Sequence, residues 1–219
     1  MTVKLAVFDC DGTLVDGQAA VCEAMESAFA EAGLDAPSRA QVRRIVGLSL
    51  PQAVRRLAPG ASPAQHSAAV DGYKHAFRES RLQGRLHEPV FDGILDLLER
   101  LHGGGWTLGV ATGKSDRGLR ACLTGHGVID RFATLQTADR HPSKPHPAML
   151  EAALIEAGAH PAQSVMIGDT TFDIDMARAA DIRAVGVAWG YHEPSELLAA
   201  GAEAVAYSVA ELEEMIGAG

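Results

Sequence analysis

Apolar positions along the chain follow two spacings. Short runs of apolar or β-branched residues recur at 4–8 (KLAVF), 107–111 (TLGVA), 164–168 (SVMIG) and 184–188 (AVGVA) and read as buried strands. A weaker fifth run is 132–137 (FATLQT), and 203–207 (EAVAY) reads as an edge strand. Between them the period becomes helical. Ile94, Leu95, Leu97, Leu98 and Leu101 form one stripe that ends at Gly103, and further helices are expected over 116–125, 146–157, 172–180, 194–200 and 209–216. Strand alternating with helix predicts an α/β fold, a Rossmann-like parallel sheet sandwiched by helices.

Residues 17–85 break the alternation. No strand pattern appears there. Val21, Met25, Phe29 and Ala32 share one helix face stopped by Gly33, and Ser38 opens a second helix. Ser49-Leu-Pro-Gln52 and Ser62-Pro-Ala-Gln65 both fit a capping box, in which Ser accepts from a backbone N–H and Gln reaches back. The stretch therefore reads as an all-helical cap domain, 17–85, inserted after the first strand. The α/β core is then 1–16 plus 86–219.

Charge sharpens this division. The 219 residues carry a net charge of −9, which disfavours nucleic acid as a partner. The insert nevertheless holds nine Lys/Arg against six Asp/Glu, and the remainder ten against twenty-two. No apolar run approaches a membrane span of ~20 residues, and the N-terminus has no signal-peptide pattern. Cys10, Cys22 and Cys122 are scattered without metal-ligand spacing, which suits a reducing, cytoplasmic location. A monomer or weak dimer is expected.

Ligands of open parallel sheets bind beyond the carboxyl ends of the strands. Asp9, Asp11, Gly12 and Thr13 follow the first strand. Thr112, Gly113 and Lys114 follow the second, Lys144 lies after the weak strand, and Asp169, Thr170, Thr171 and Asp173 follow 164–168. Carboxylates gathered at one edge must share a cation or shift their pKa values strongly, and Mg²⁺ suits a few carboxylates plus a phosphate. The lysines and Thr112 supply the positive charge and donors that a phosphoryl group needs. An aspartate can attack phosphorus, and a second carboxylic acid can protonate the departing alcohol.

In this order and spacing, DCDGTLVD (9–16), TGK (112–114), KP (144–145) and GDTTFD (168–173) resemble the four motifs of the haloacid dehalogenase superfamily. The resemblance covers 1–16 and about 86–190 and is nearest to the phosphoglycolate-phosphatase-like branch with a helical cap. It implies Asp9 as nucleophile and Mg²⁺ ligand. Asp11 would be the acid/base, with its carbonyl on the metal. Thr112, Gly113 and Lys144 would hold the phosphoryl group, and Asp169 and Asp173 would bind or support Mg²⁺. Asp16 would sit at the hinge into the cap. Two positions depart from the pattern: Gly17 stands where serine often follows, and Asp181 stands at a helix end where glycine is common. Asp tolerates a left-handed backbone less well than Gly.

Other residues carry weaker signals. Side chains alternate along an extended strand, so Asp9 and Asp11 share a side and Cys10 faces away as small apolar filler. Lys114 is a substrate contact or a solvated lysine with equal weight. His141, His146 and His192 read as loop histidines. WGYH (189–192) packs or reaches the site. Arg43 and Arg44 are the first cap candidates for gripping a second anionic group, because arginine binds carboxylates in a fork.

The expected activity is a Mg²⁺-dependent phosphatase acting on a small phosphorylated metabolite, phosphoglycolate-like or a sugar phosphate, through an aspartyl-phosphate. A sugar phosphomutase and a catalytically silent phosphate-binding protein are the alternatives.

Overall fold

The computed structural model describes residues 3–217. Six parallel strands form one sheet in the order β3-β2-β1-β4-β5-β6: β1 Lys4–Phe8, β2 Trp106–Thr112, β3 Phe132–Thr137, β4 Ser164–Gly168, β5 Arg183–Val187 and β6 Ala204–Ala206. The weak run 132–137 is a full member because it closes one edge, paired to β2. The chain runs outward from β1 through β2 to β3, then returns to place β4 on the other side of β1. The direction reverses at β1, so the loops after β1 and β4 meet at the topological switch point, where such sheets bind ligands.

Alternation along β1 decides which residues feed which layer. Ala6 and Phe8 join the core beneath α5 (Ile94–Gly103), α6 (Asp116–Gly125) and α10 (Val209–Gly217), whereas Leu5 and Val7 join that beneath α7 (Ala148–Ala157), α8 (Thr171–Ala179) and α9 (Pro194–Ala200). Cys10 continues the parity of Phe8 into the first core and is fully buried. Burial and the neighbouring Cys122 thiol push the Cys10 thiol up, the latter more. A buried thiol of that kind is packing, not a nucleophile.

Between β1 and α5 lie four helices, α1 Gln18–Glu31, α2 Arg39–Arg43, α3 Leu50–Leu57 and α4 Pro63–Leu82, and two isolated bridges, Asp11–Val15 and Val15–Val90. The helices enclose a third apolar cluster built on Val21, Met25, Phe29, Val42 and Val54, into which Tyr191 of the β5–α9 loop inserts. Capping boxes form at Ser38 and Ser62. The one expected at Ser49 does not form. Its backbone N–H donates instead to Ser143 Oγ at 2.7 Å, a partner 94 residues away that local pattern does not reveal. Asp181 holds φ 54°, the left-handed conformation expected for that helix end. Among the described residues, no helix is long and apolar enough to cross a membrane.

Candidate active site

Asp9 stands immediately beyond β1, where its N–H still donates to Ile167 O of β4 at 2.9 Å. That bond places its carboxylate between the two central strands. Oδ1 accepts from the Cys10 N–H at 2.7 Å and lies 2.9 Å from Lys144 Nζ. Oδ2 is buried and, among the described residues, has no hydrogen-bond partner. Lys144 also donates to Asp173 Oδ1 at 2.6 Å and is itself fully buried.

Asp173 is fixed by the start of α8. Its Oδ2 accepts from the Thr170 N–H at 3.1 Å and from the Thr170 hydroxyl at 2.7 Å, so a helix-capping interaction also orients a site carboxylate. Asp169 accepts from the Thr13 hydroxyl and from the Tyr191 N–H, both at 2.8 Å. Asp9, Asp169 and Asp173 each bring one carboxylate oxygen to within 4.8 Å of the others, all buried.

Three buried carboxylates face one ammonium, and the imbalance shows in their proton affinities. Burial first, with Lys144 opposing it and Asp173 adding to it, raises Asp9 to about 7. Burial and then Asp173 and Asp9 push Asp169 well above the carboxylate range. Burial alone would lower Lys144, but Asp173 and Asp9 outweigh it and hold the ammonium above an ordinary lysine. Excess negative charge and an unpartnered Asp9 oxygen are what a hard divalent cation with oxygen ligands would satisfy. The donor set fits Mg²⁺.

Asp11 faces a second cation. Lys114 Nζ lies 2.9 Å from Asp11 Oδ1 and 2.6 Å from Glu88 Oε1. Burial raises Asp11 above an ordinary carboxyl, against the pull of Lys114. A Cβ on Gly17 would lie 3.0 Å from Asp11 Oδ1, a close side-chain contact. Thr112 ends β2, buried, and its Oγ1 accepts from the Lys114 N–H at 3.3 Å. A Cβ on Gly113 would lie 2.5 Å from the Leu48 carbonyl oxygen, so its absence lets the helical segment close directly over the β2 loop.

A cavity of about 190 Å³ opens over these groups, lined by Asp9, Asp11, Thr112, Gly113 and Lys114 on the sheet side and by α1, α4 and the 45–51 segment on the other. Lys144, Asp169 and Asp173 do not line it and are buried. Arg43 and Arg44 are not brought to it. Arg44 forms a two-pronged pair with Glu196 of α9 at 2.6 and 2.7 Å. Arg43 bonds Gln18 and lies 5.8 Å from the Tyr191 ring centroid. The cations that line the cavity are Lys74, Arg78 and Arg81 of α4, together with Lys114 and Arg117.

The expected loop histidines stay outside the cavity as well. His141 pairs with Gln136, His146 Nδ1 accepts from the Ala148 N–H, and His192 Nδ1 accepts from the Thr171 N–H. WGYH packs around the site without lining it: Trp189 Nε1 donates to Thr13 O, and Tyr191 serves Asp169 through its backbone. Glu88, Tyr73 and Phe77 were not signalled by sequence. The i, i+4 pair Tyr73/Phe77 could have been found as a helix face. A lone acid at 88 carries no pattern.

The profile described as haloacid dehalogenase-like hydrolase matches residues 6–187. The chain is 36% identical over 217 residues to the "Probable phosphatase IndB" of Dickeya dadantii, covering 98% of this chain and 92% of that one. It is 33% identical to a phosphoglycolate phosphatase of Rhodospirillum rubrum, covering 98% and 91%. Among solved structures it resembles a haloacid dehalogenase-like family hydrolase of Streptococcus pneumoniae, with a TM-score of 0.82, 26% identity and 96% of each chain covered. With the profile spanning most of the chain and the four loops converging on one sheet edge, the protein belongs to the haloacid dehalogenase-like hydrolase family.

Proposed function

We propose that the protein is a Mg²⁺-dependent phosphatase that hydrolyses a small phosphomonoester through an aspartyl-phosphate on Asp9. The observation that carries this reading is the buried constellation at the sheet edge. One carboxylate, Asp9, is held by Lys144 and the Cys10 N–H, keeps one oxygen unpartnered, and opens onto a cavity beside Thr112 and Asp11.

The chain's residues divide the work as follows. A carboxylate oxygen of Asp9 attacks phosphorus, and the bond from phosphorus to the ester oxygen breaks. Asp11 gives its proton to that oxygen, so the leaving group departs as an alcohol. The Thr112 hydroxyl and Gly113 N–H donate to the phosphoryl oxygens, and Lys144 neutralises charge on the nucleophile side. Asp11, now a carboxylate, takes a proton from water as its oxygen attacks phosphorus. The Asp9–phosphorus bond breaks, and inorganic phosphate leaves. Mg²⁺, which Asp9, Asp169, Asp173 and the Asp11 carbonyl would hold, supplies charge compensation to the phosphoryl oxygens.

Residues 17–85 act as a cap that excludes water from the acyl phosphate. Support comes from the Leu48 carbonyl against Gly113, the Ser49–Ser143 bond and the Arg44–Glu196 pair, all of which join the two parts. The cavity of about 190 Å³ suits a small metabolite. Three buried free cysteines fit a cytoplasmic setting.

Phosphate release from a panel of phosphorylated metabolites in the presence of Mg²⁺ tests the reading. Release of inorganic phosphate is the expected result. Isomerised sugar phosphate without release would make the protein a mutase, and no turnover of any ester would leave only phosphate binding.

A further inference from the structure

The cavity over Asp9 has an apolar wall and a cationic mouth. On α4, Tyr73 and Phe77 stand one turn apart with ring centroids 4.9 Å from each other, and both line the cavity. Val21 and Met25 of α1 continue the same apolar surface. The cation deepest in the cavity, Lys114, lies 5.7 Å from the Phe77 ring centroid but is committed to Asp11 and Glu88. Exposed cations gather further out: Lys74 and Arg78, also one turn apart, and Arg117 in the first turn of α6. Among the described residues none of these three has a carboxylate within 4.0 Å.

This arrangement discriminates between leaving groups. A carboxylate one carbon away from the ester oxygen, as in phosphoglycolate, would lie against the apolar wall, where a charge without a partner is costly. A flat apolar group there would be desolvated against two rings. An acidic group further from the phosphorus would meet the three unpaired cations.

We infer that the preferred substrate is a phosphomonoester whose alcohol part presents a flat apolar face to Tyr73 and Phe77 and carries an acidic group at its far end for Arg78, Arg117 and Lys74. This rests on the phosphatase reading above. The test compares kcat/KM for benzyl phosphate, its para-carboxylate and phosphoglycolate, three esters of primary alcohols. The expected order is para-carboxybenzyl phosphate, then benzyl phosphate, then phosphoglycolate. Phe77→Ala lowers the two benzyl esters by about tenfold more than phosphoglycolate, and Phe77→Leu by less. The exposed pair Arg78→Gln/Arg117→Gln raises KM for the carboxylated benzyl ester by about tenfold and spares benzyl phosphate. Phosphoglycolate as the best substrate, or variants that change all three esters alike, would overturn the inference while leaving a working phosphatase. Failure to cleave any ester would remove the phosphatase reading and the inference together.

Discussion

Lys144 Nζ lies 2.9 Å from Asp9 Oδ1, and both side chains are buried. The pair is one corner of a cluster in which Lys144 also holds Asp173. Removing the ammonium as Lys144→Met leaves buried carboxylates uncompensated, a change that typically costs about 3–5 kcal/mol. The variant should lose most of that stability in EDTA and recover part of it in Mg²⁺. Its kcat should fall by about 10²–10³, the usual effect of deleting one electrostatic donor. Thermal unfolding with and without Mg²⁺, beside steady-state kinetics, reads both effects.

Metal removal and pH are linked at the same cluster. In metal-free protein the Asp9 carboxyl is raised from 3.8 to about 7, mainly by burial. The folded state therefore binds more protons than the unfolded chain across that window, and stability falls as pH rises from about 4 to 7. Above about 7 this contribution is lost in full. Melting curves in EDTA should show the slope, and saturating Mg²⁺ should flatten it by stabilising the ionised site. A metal-free melting temperature that is level or rising over that window would contradict the assignment of buried, like-charged carboxylates.

Glu88 shares Lys114 with Asp11, at 2.6 Å against 2.9 Å. With Glu88→Gln, the ion pair to Lys114 becomes a weaker neutral hydrogen bond, and the hold on the Asp11 carboxylate loosens. A positioned acid/base supplies about 10²–10⁴ in rate, and a displaced one retains part of it. The expected loss in kcat is therefore about 10- to 100-fold, with the larger loss for alkyl esters than for 4-nitrophenyl phosphate, whose leaving group needs little protonation. Rates for the two ester types in the same variant separate this from general damage, which lowers both equally.

Closure of the helical segment depends on Gly113. A methyl group there would overlap the Leu48 carbonyl oxygen, 2.5 Å away, and the Gly47 carbonyl oxygen, 2.8 Å away. Both are backbone atoms and cannot swing aside. Gly113→Ala should therefore hold the segment off the β2 loop and admit water to the site. We expect kcat/KM to drop by about 10²-fold, the scale of a 1 Å misplacement, with thermal stability changed by less than about 1 kcal/mol. Kinetics and a melting curve on the same preparation check the pair of outcomes.

The α/β fold was legible in sequence because its strands are short apolar runs, and the candidate site residues follow them directly. Asp9, Thr112 and Asp169 each sit at or one residue past the end of a strand, and Lys144 shortly after one. Asp181 was legible too, since its left-handed backbone is a property of one helix end. The helical segment was harder. Arg43 and Arg44 looked available because charge alone does not say which way a helix faces, and Glu196, the partner of Arg44, lies 152 residues away. The cations that do face the cavity, on α4, lie on a long helix with only Ala69 and Gly72 fully buried, so no strong apolar stripe marks its orientation. Glu88 and Ser143 act through single long-range contacts, for which the local pattern holds no sign.

The most direct test of the account is phosphate release by Asp9→Asn beside the wild-type protein, each with Mg²⁺ and the best available phosphomonoester. Asn keeps the size of the side chain and removes the attacking carboxylate. The account predicts a loss of at least about 10⁴-fold with circular dichroism unchanged. Turnover within about tenfold of wild type in a folded Asp9→Asn protein would contradict Asp9 as the nucleophile.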